Sequence, residues 1–198
     1  MDKITHSLHR QGNVESLRKD YVLLSCLAKG YNREDPKSRE KLLIIAEIFN
    51  QNNPVNIIPK FTWNISPVIT SVYDNIDNVK NIVKTLKKEN LGVSIVISGL
   101  MSEVKALLTE LDLKMHTVHL SLGVFGNMDL LPKNPDILEI TTMCGHHCIS
   151  PQSVEYYVKL INEGKISVEK AAKRIAKPCI CGIFNSARAI DILNKFLL

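Results

Sequence analysis

Two closely spaced cysteine pairs near the end of the chain constrain its fold more than any other feature. Cys144 and Cys148 form a C-x-x-x-C pair, and Cys179 and Cys181 form a C-x-C pair. About thirty residues separate the two pairs, and their pattern predicts a helical hairpin that returns the chain close to where it started. We therefore expect a fold that brings the four thiols together.

Start and stop signals for helices support this hairpin. Ser150 and Pro151 are favoured residues at the first turn of a helix, and Gly164 is a typical stop. Ser167 begins a second predicted helix, which Pro178 ends. A third helix is expected from residue 185 or 186 to the end of the chain.

Before the cysteine pairs, predicted strands and helices alternate. The predicted strands cover residues 4–10, 21–28, 55–58, 93–97, 116–122 and 136–142. Helices are predicted at 14–20, 36–51, 66–90 and 102–111. This alternation predicts the α/β class, with a mostly parallel sheet flanked by helices.

The length of 198 residues fits one compact unit. Within it we expect an α/β domain at residues 1–143. A helical, cysteine-rich metal-binding subdomain at residues 144–198 would pack on that domain.

A parallel sheet would also gather polar residues at one edge, because ligands bind beyond the carboxyl ends of parallel strands. Arg10 ends the first predicted strand, Lys29 follows the second, and the cysteine-rich segment follows the last one. With Arg188 from the final helix, these cations predict a pocket for a small anion.

Four thiolates from two short turns can close a metal site. The predicted ligands are Cys144, Cys148, Cys179 and Cys181. Neither pair has the C-x-x-C spacing that zinc sites favour, and iron–sulfur ligation tolerates more varied spacings. Gly145 and Gly182 would let backbone N–H groups approach sulfide. We therefore predict an iron–sulfur cluster, of the 4Fe–4S type, with zinc as the alternative.

The cysteines could instead be unliganded, since small buried cysteines also pack as apolar side chains. That interpretation suits Cys26, which lies inside a predicted strand.

His146 and His147 lie between two predicted ligands. Either histidine could replace a cysteine as ligand, or act as a general acid or base near neutral pH.

Charge and motifs narrow the function. The chain carries a formal charge of +5 and lacks the phosphate-binding loop and dinucleotide-binding motifs. It also lacks an apolar run that resembles a signal peptide or a membrane span, so we expect a cytoplasmic protein with reduced thiols. The main prediction is an iron–sulfur enzyme that acts on a small anionic molecule.

Two alternatives remain at this point. One is a structural-zinc module whose basic helical face binds nucleic acid, through Lys170, Lys173, Arg174 and Lys177. Nucleic acid is the less favoured partner, because no aromatic residues interleave these cations. The other alternative is a carrier of metal ions or clusters. The sequence carries no signal of an oligomeric state or of a membrane partner.

Overall fold

A four-stranded antiparallel sheet lies at the centre of the structure, a computed structural model that describes residues 10–115, 127–146 and 148–197. The strands are β1 (Tyr21–Cys26), β2 (Asn56–Ile57), β3 (Val68–Tyr73) and β4 (Ser94–Ser98). Their order across the sheet is β2-β3-β1-β4, and each neighbouring pair is antiparallel.

The prediction of a mostly parallel sheet flanked by helices is therefore wrong for the described residues. Parallel neighbours need a crossover connection, usually a helix, between strands that pair. Here the helix after β1 leads to the edge strand β2, which pairs with β3 and not with β1. Because neighbouring strands alternate in direction, their carboxyl ends do not share one edge, and the expected gathering of ligands at such an edge loses its basis.

Eight α-helices surround the sheet within the described residues. They are α1 (Val14–Leu17), α2 (Pro36–Gln51), α3 (Ile76–Glu89), α4 (Met101–Glu110), α5 (Pro135–Thr142), α6 (Pro151–Asn162), α7 (Val168–Ala176) and α8 (Ser186–Leu193). In the described part of the chain, none of these helices combines the length and the apolar character that crossing a membrane requires.

Helix α5 replaces the strand that the sequence pattern predicted at 136–142. The side chain of Asn134 accepts hydrogen bonds from the backbone N–H groups of Asp136 and Ile137, and Pro135 occupies the first turn. Both are strong helix-start signals, and they outweigh the short apolar run that suggested a strand.

Strand β3 corrects a second prediction, because it lies in a segment expected to be helical. Its β-branched and aromatic residues favour extended backbone. Of the other predicted strands, residues 116–122 and 4–9 lie outside the described residues.

The sheet has one helical layer on each face, which follows from the alternation of side chains along its strands. Tyr21, Leu23 and Tyr73 pack with helices α2 to α4. Val22 and Val72 pack with helices α5 to α8.

The predicted hairpin of α6 and α7, and the helix α8 that follows it, are confirmed. The proposed boundary at residue 143 stays a prediction.

The turn before α8 rests directly on the sheet. Gly182 has φ +71°, and a Cβ atom there would lie 2.3 Å from the backbone carbon of Ile57 and the backbone nitrogen of Ile58. The hydroxyl of Thr70 also donates a hydrogen bond to the carbonyl of Cys181. Glycine at this position lets the second cysteine pair sit against β2 and β3.

Gly182→Ala is expected to lower the free energy of unfolding by more than about 3 kcal/mol, because it adds a backbone collision to the strain of a left-handed residue. Gly164→Ala is the matched control: its φ is +67° and no atom lies within 4 Å of the added Cβ. Strain alone predicts a loss of about 1–2 kcal/mol there. Urea unfolding measures both, and equal losses would contradict the proposed docking of this turn.

Candidate metal centre

Three side chains from two separate turns form a group that could hold a metal ion. The thiols of Cys144 and Cys181 and a ring nitrogen of His146 all lie within 4.8 Å of one another. Cys144 follows α5, and Cys181 precedes α8. Across the two turns, His146 Nδ1 lies 3.6 Å from Cys181 Sγ.

The two turns repeat the same local geometry. Each is a cysteine followed by a glycine in the left-handed region, with φ +70° at Gly145 and φ +71° at Gly182. The backbone N–H two residues after each cysteine, from His146 and from Ile183, donates a hydrogen bond to the cysteine sulfur. Such donors stabilise negative charge on sulfur, as metal-binding thiolates require.

Cys179 belongs to the same cluster of sulfur atoms. Its Sγ lies 3.4 Å from that of Cys181, and its thiol is hydrogen-bonded to Cys144. Cys144 and Cys179 are buried, with exposed fractions of 0% and 6%. The first cysteine pair and the second therefore meet, as the hairpin argument anticipated.

Cys148 lies at the exposed margin of this cluster. Its thiol is hydrogen-bonded to Cys144, and its Sγ lies 3.9 Å from the backbone oxygen of His146. His146 is exposed as well. His147, the other predicted acid–base residue, lies outside the described residues. The predicted acid–base roles of both histidines stay predictions.

Electrostatics concentrate negative charge on one sulfur. Hydrogen bonds from Cys179 and then Cys181 hold the pKa of Cys144 well below its usual value. The same contacts raise the pKa of Cys179 and Cys181, because each would become a second thiolate beside the first. Additional thiolates in this buried place need a cation to balance their charge.

Arg188, one of the predicted anion-binding residues, lies in a buried ion network. Its Nη1 is 2.7 Å from Asp20 Oδ2, its Nη2 is 2.7 Å from Glu139 Oε1, and its Nε donates to the hydroxyl of Ser16 at 2.8 Å. The side chains of Arg188 and Asp20 are each 1% exposed. The guanidinium group thus has carboxylate partners from within the chain.

Arg10 joins this network through Asp20. Its Nε lies 3.1 Å from Asp20 Oδ2, and its Nη2 donates to the backbone oxygens of Asp20 and Ser98. Burial lowers the pKa of Arg10 below its usual value, and the charge of Asp20 opposes this effect. Among the described residues, Arg10 Nη1 has no hydrogen-bond partner.

Lys29, the third predicted anion-binding residue, is exposed in the turn after β1. Arg10 contacts Asp20, which immediately precedes β1, whereas Lys29 follows β1. The two cations therefore lie near opposite ends of a strand about 17 Å long. The structure therefore brings Arg10 and Arg188 together and leaves Lys29 apart. A shared anion pocket for the three stays a prediction.

Sequence reasoning missed the two acids of the network. Asp20 immediately precedes a strand, a position where nothing marks a buried acid. Glu139 lies on α5, and the interpretation of that segment as a strand hid its place on the inward helical face. Recognising the Asn134-Pro135 helix start would have placed Glu139 on a helix, one turn after Asp136.

Removing the central arginine tests the network. Arg188→Met is expected to lower the free energy of unfolding by about 3–5 kcal/mol, because Asp20 and Glu139 are left buried with less compensation. Lys195→Met breaks an exposed pair with Asp136 and should cost about 0–1 kcal/mol. Urea unfolding compares them, and a loss at Arg188 no larger than at Lys195 would contradict the network's role.

No family model, no curated protein and no solved structure matches the chain. Its function is therefore inferred from the chemistry of its own residues, of which the cysteine and histidine cluster is the most distinctive.

Proposed function

We propose that this protein binds a single zinc ion through three cysteines and one histidine. The ligands would be Cys144, His146, Cys179 and Cys181. The observation that carries this proposal is the close packing of the sulfur and nitrogen atoms of the two Cys-Gly turns. The ion would fasten the turn after α5 to the turn before α8.

The distances support one ion rather than a cluster. A tetrahedral zinc ion with bonds of about 2.3 Å to sulfur and about 2.0–2.1 Å to nitrogen places two sulfurs about 3.8 Å apart, and a sulfur and a nitrogen about 3.6 Å apart. The Sγ atoms of Cys179 and Cys181 are 3.4 Å apart, and His146 Nδ1 is 3.6 Å from Cys181 Sγ. These two separations are close to those around a shared ion, and Cys144 Sγ lies within 4.8 Å of the donor atoms of His146 and Cys181.

Burial favours Cys179 over Cys148 as the third cysteine. Cys179 is buried and contacts Cys181, whereas Cys148 is exposed and extends from the margin of the cluster. Thiolate and imidazole together suit zinc among the common divalent metals. Four protein ligands leave no position for a substrate, which is typical of a structural site.

A 4Fe–4S cluster is the second candidate, held by Cys144, Cys148, Cys179 and Cys181. The presence of a fourth thiol in hydrogen-bond contact with Cys144 favours it. Each of its ligands would bind a different iron, so the sulfurs would have to move apart from their present contacts. An enzymatic role toward a small anionic molecule, with His146 and His147 moving protons, belongs with this candidate.

Metal analysis of protein purified without oxygen separates the two candidates. We expect a colourless protein with about one zinc ion per chain and without acid-labile sulfide. Brown protein with iron and sulfide would contradict the zinc proposal and support the cluster. Metal-free protein with freely reactive thiols would contradict both.

Variants identify the ligands in the same measurement. Cys144→Ser and Cys181→Ser are expected to lose most of the zinc and several kcal/mol of stability, because binding of a structural metal contributes directly to folding. Cys26→Ser is the matched control, since Cys26 lies in β1 and should leave the zinc content unchanged. Equal zinc loss in this control would show that the cysteine-pair assignment is wrong.

A further inference from the structure

The cluster around Cys144 offers one more donor than a tetrahedral ion accepts. Among the described residues, the donors are Cys144, His146, Cys148, Cys179 and Cys181. Zinc in a structural site takes four ligands. One donor must therefore stay free at any moment, and the structure separates the five in a way that indicates which ones compete.

Burial divides the donors into an inner and an outer set. Cys144 and Cys179 are buried and Cys181 is half-buried, and these three contact one another through their sulfur atoms. His146 and Cys148 are both exposed, and they lie two residues apart in the same turn. The inner three are held by packing, whereas the outer two face solvent.

Each of the outer two contacts one of the inner three. His146 contacts Cys181 through Nδ1 at 3.6 Å, and Cys148 contacts Cys144 through its thiol. Cys148 Sγ also lies 3.9 Å from the backbone oxygen of His146. Because both side chains are exposed, rotation of these two side chains alone would exchange one donor for the other and leave the backbone N–H groups on the Cys144 sulfur in place.

We propose that Cys148 is an exchange ligand, which replaces His146 as the fourth ligand of the bound ion and so makes the site able to pass its metal to a thiol-bearing acceptor. This inference rests on the proposed zinc site. In the exchange, a zinc–sulfur bond to Cys148 forms as the zinc–nitrogen bond to His146 breaks. The proton of the Cys148 thiol passes to the released Nδ1 of His146.

The exchange gives a role to the exposed thiol of Cys148, which lies beside a site that already has four proposed ligands. An incoming thiol attacks zinc more readily when a ligand at the surface can leave and return. With the inner three sulfurs still bound, the ion is retained during the exchange. The acceptor that this chemistry suits is a molecule that offers thiolate ligands, since these match the ligands already on the ion.

Cobalt substitution tests the exchange, because the intensity of sulfur-to-cobalt charge transfer reports how many thiolates are bound. His146→Ala is expected to keep one cobalt ion and to gain about one third in this intensity, as a fourth thiolate joins three. Cys148→Ser should keep the wild-type intensity. The double variant should bind cobalt more weakly by a factor on the order of 100 or more.

The outcomes separate this inference from the zinc proposal. Wild-type protein that binds neither zinc nor cobalt contradicts the proposed function itself. Wild-type binding together with a His146→Ala variant as weak as the double variant contradicts only the exchange. Far-ultraviolet circular dichroism establishes that each variant is folded, which is expected because both altered side chains are exposed.

Transfer kinetics provide a second measurement that does not depend on His146→Ala. Zinc is removed by excess glutathione and detected with a chelator that changes colour when it binds zinc. Removal from wild-type protein is expected to be about tenfold faster than from Cys148→Ser, because a surface ligand that leaves and returns speeds exchange. Cys26→Ser should transfer zinc at the wild-type rate. Equal rates in wild type and Cys148→Ser would overturn the proposal.

Discussion

Contact among three sulfur atoms, those of Cys144, Cys179 and Cys181, is the interaction on which the helical layer from α5 to α8 depends. It joins the two ends of the α6–α7 hairpin, and it places Cys144, whose pKa is lowered, beside Cys179 and Cys181, whose pKa values are raised. Burial of several thiolates is unfavourable without a balancing cation. Binding of the proposed metal ion would therefore add to the stabilisation that the packing of the hairpin provides.

Two other contacts fix this layer to the sheet. Gly182 lets the turn of the second cysteine pair lie directly on β2. Arg188 of α8 reaches Asp20 before β1 and Glu139 of α5, so charges buried between the layers are paired within the chain. The two Cys-Gly turns thus belong to segments that the sheet already positions, and the proposed ion would bind to side chains that the fold has already brought together.

Local signals allowed much of this to be predicted. Caps at Ser150, Ser167 and Asn185 marked the C-terminal helices, and the hairpin they imply was enough to bring the cysteine pairs together. The direction of the strands could not be predicted in this way, because pairing between distant segments decides it. Nor does spacing along the chain encode the separation between sulfur atoms, so the proposed preference for one ion over a cluster rests on the folded positions of the cysteines.

X-ray absorption at the zinc edge of the purified protein tests the central claim most directly. A single ion bound by three cysteines and one histidine predicts a first shell of sulfur at about 2.3 Å together with one nitrogen at about 2.0–2.1 Å. The account also predicts that Cys26→Ser leaves this shell unchanged. A shell without sulfur, or protein whose metal is iron with neighbouring iron atoms, would contradict it.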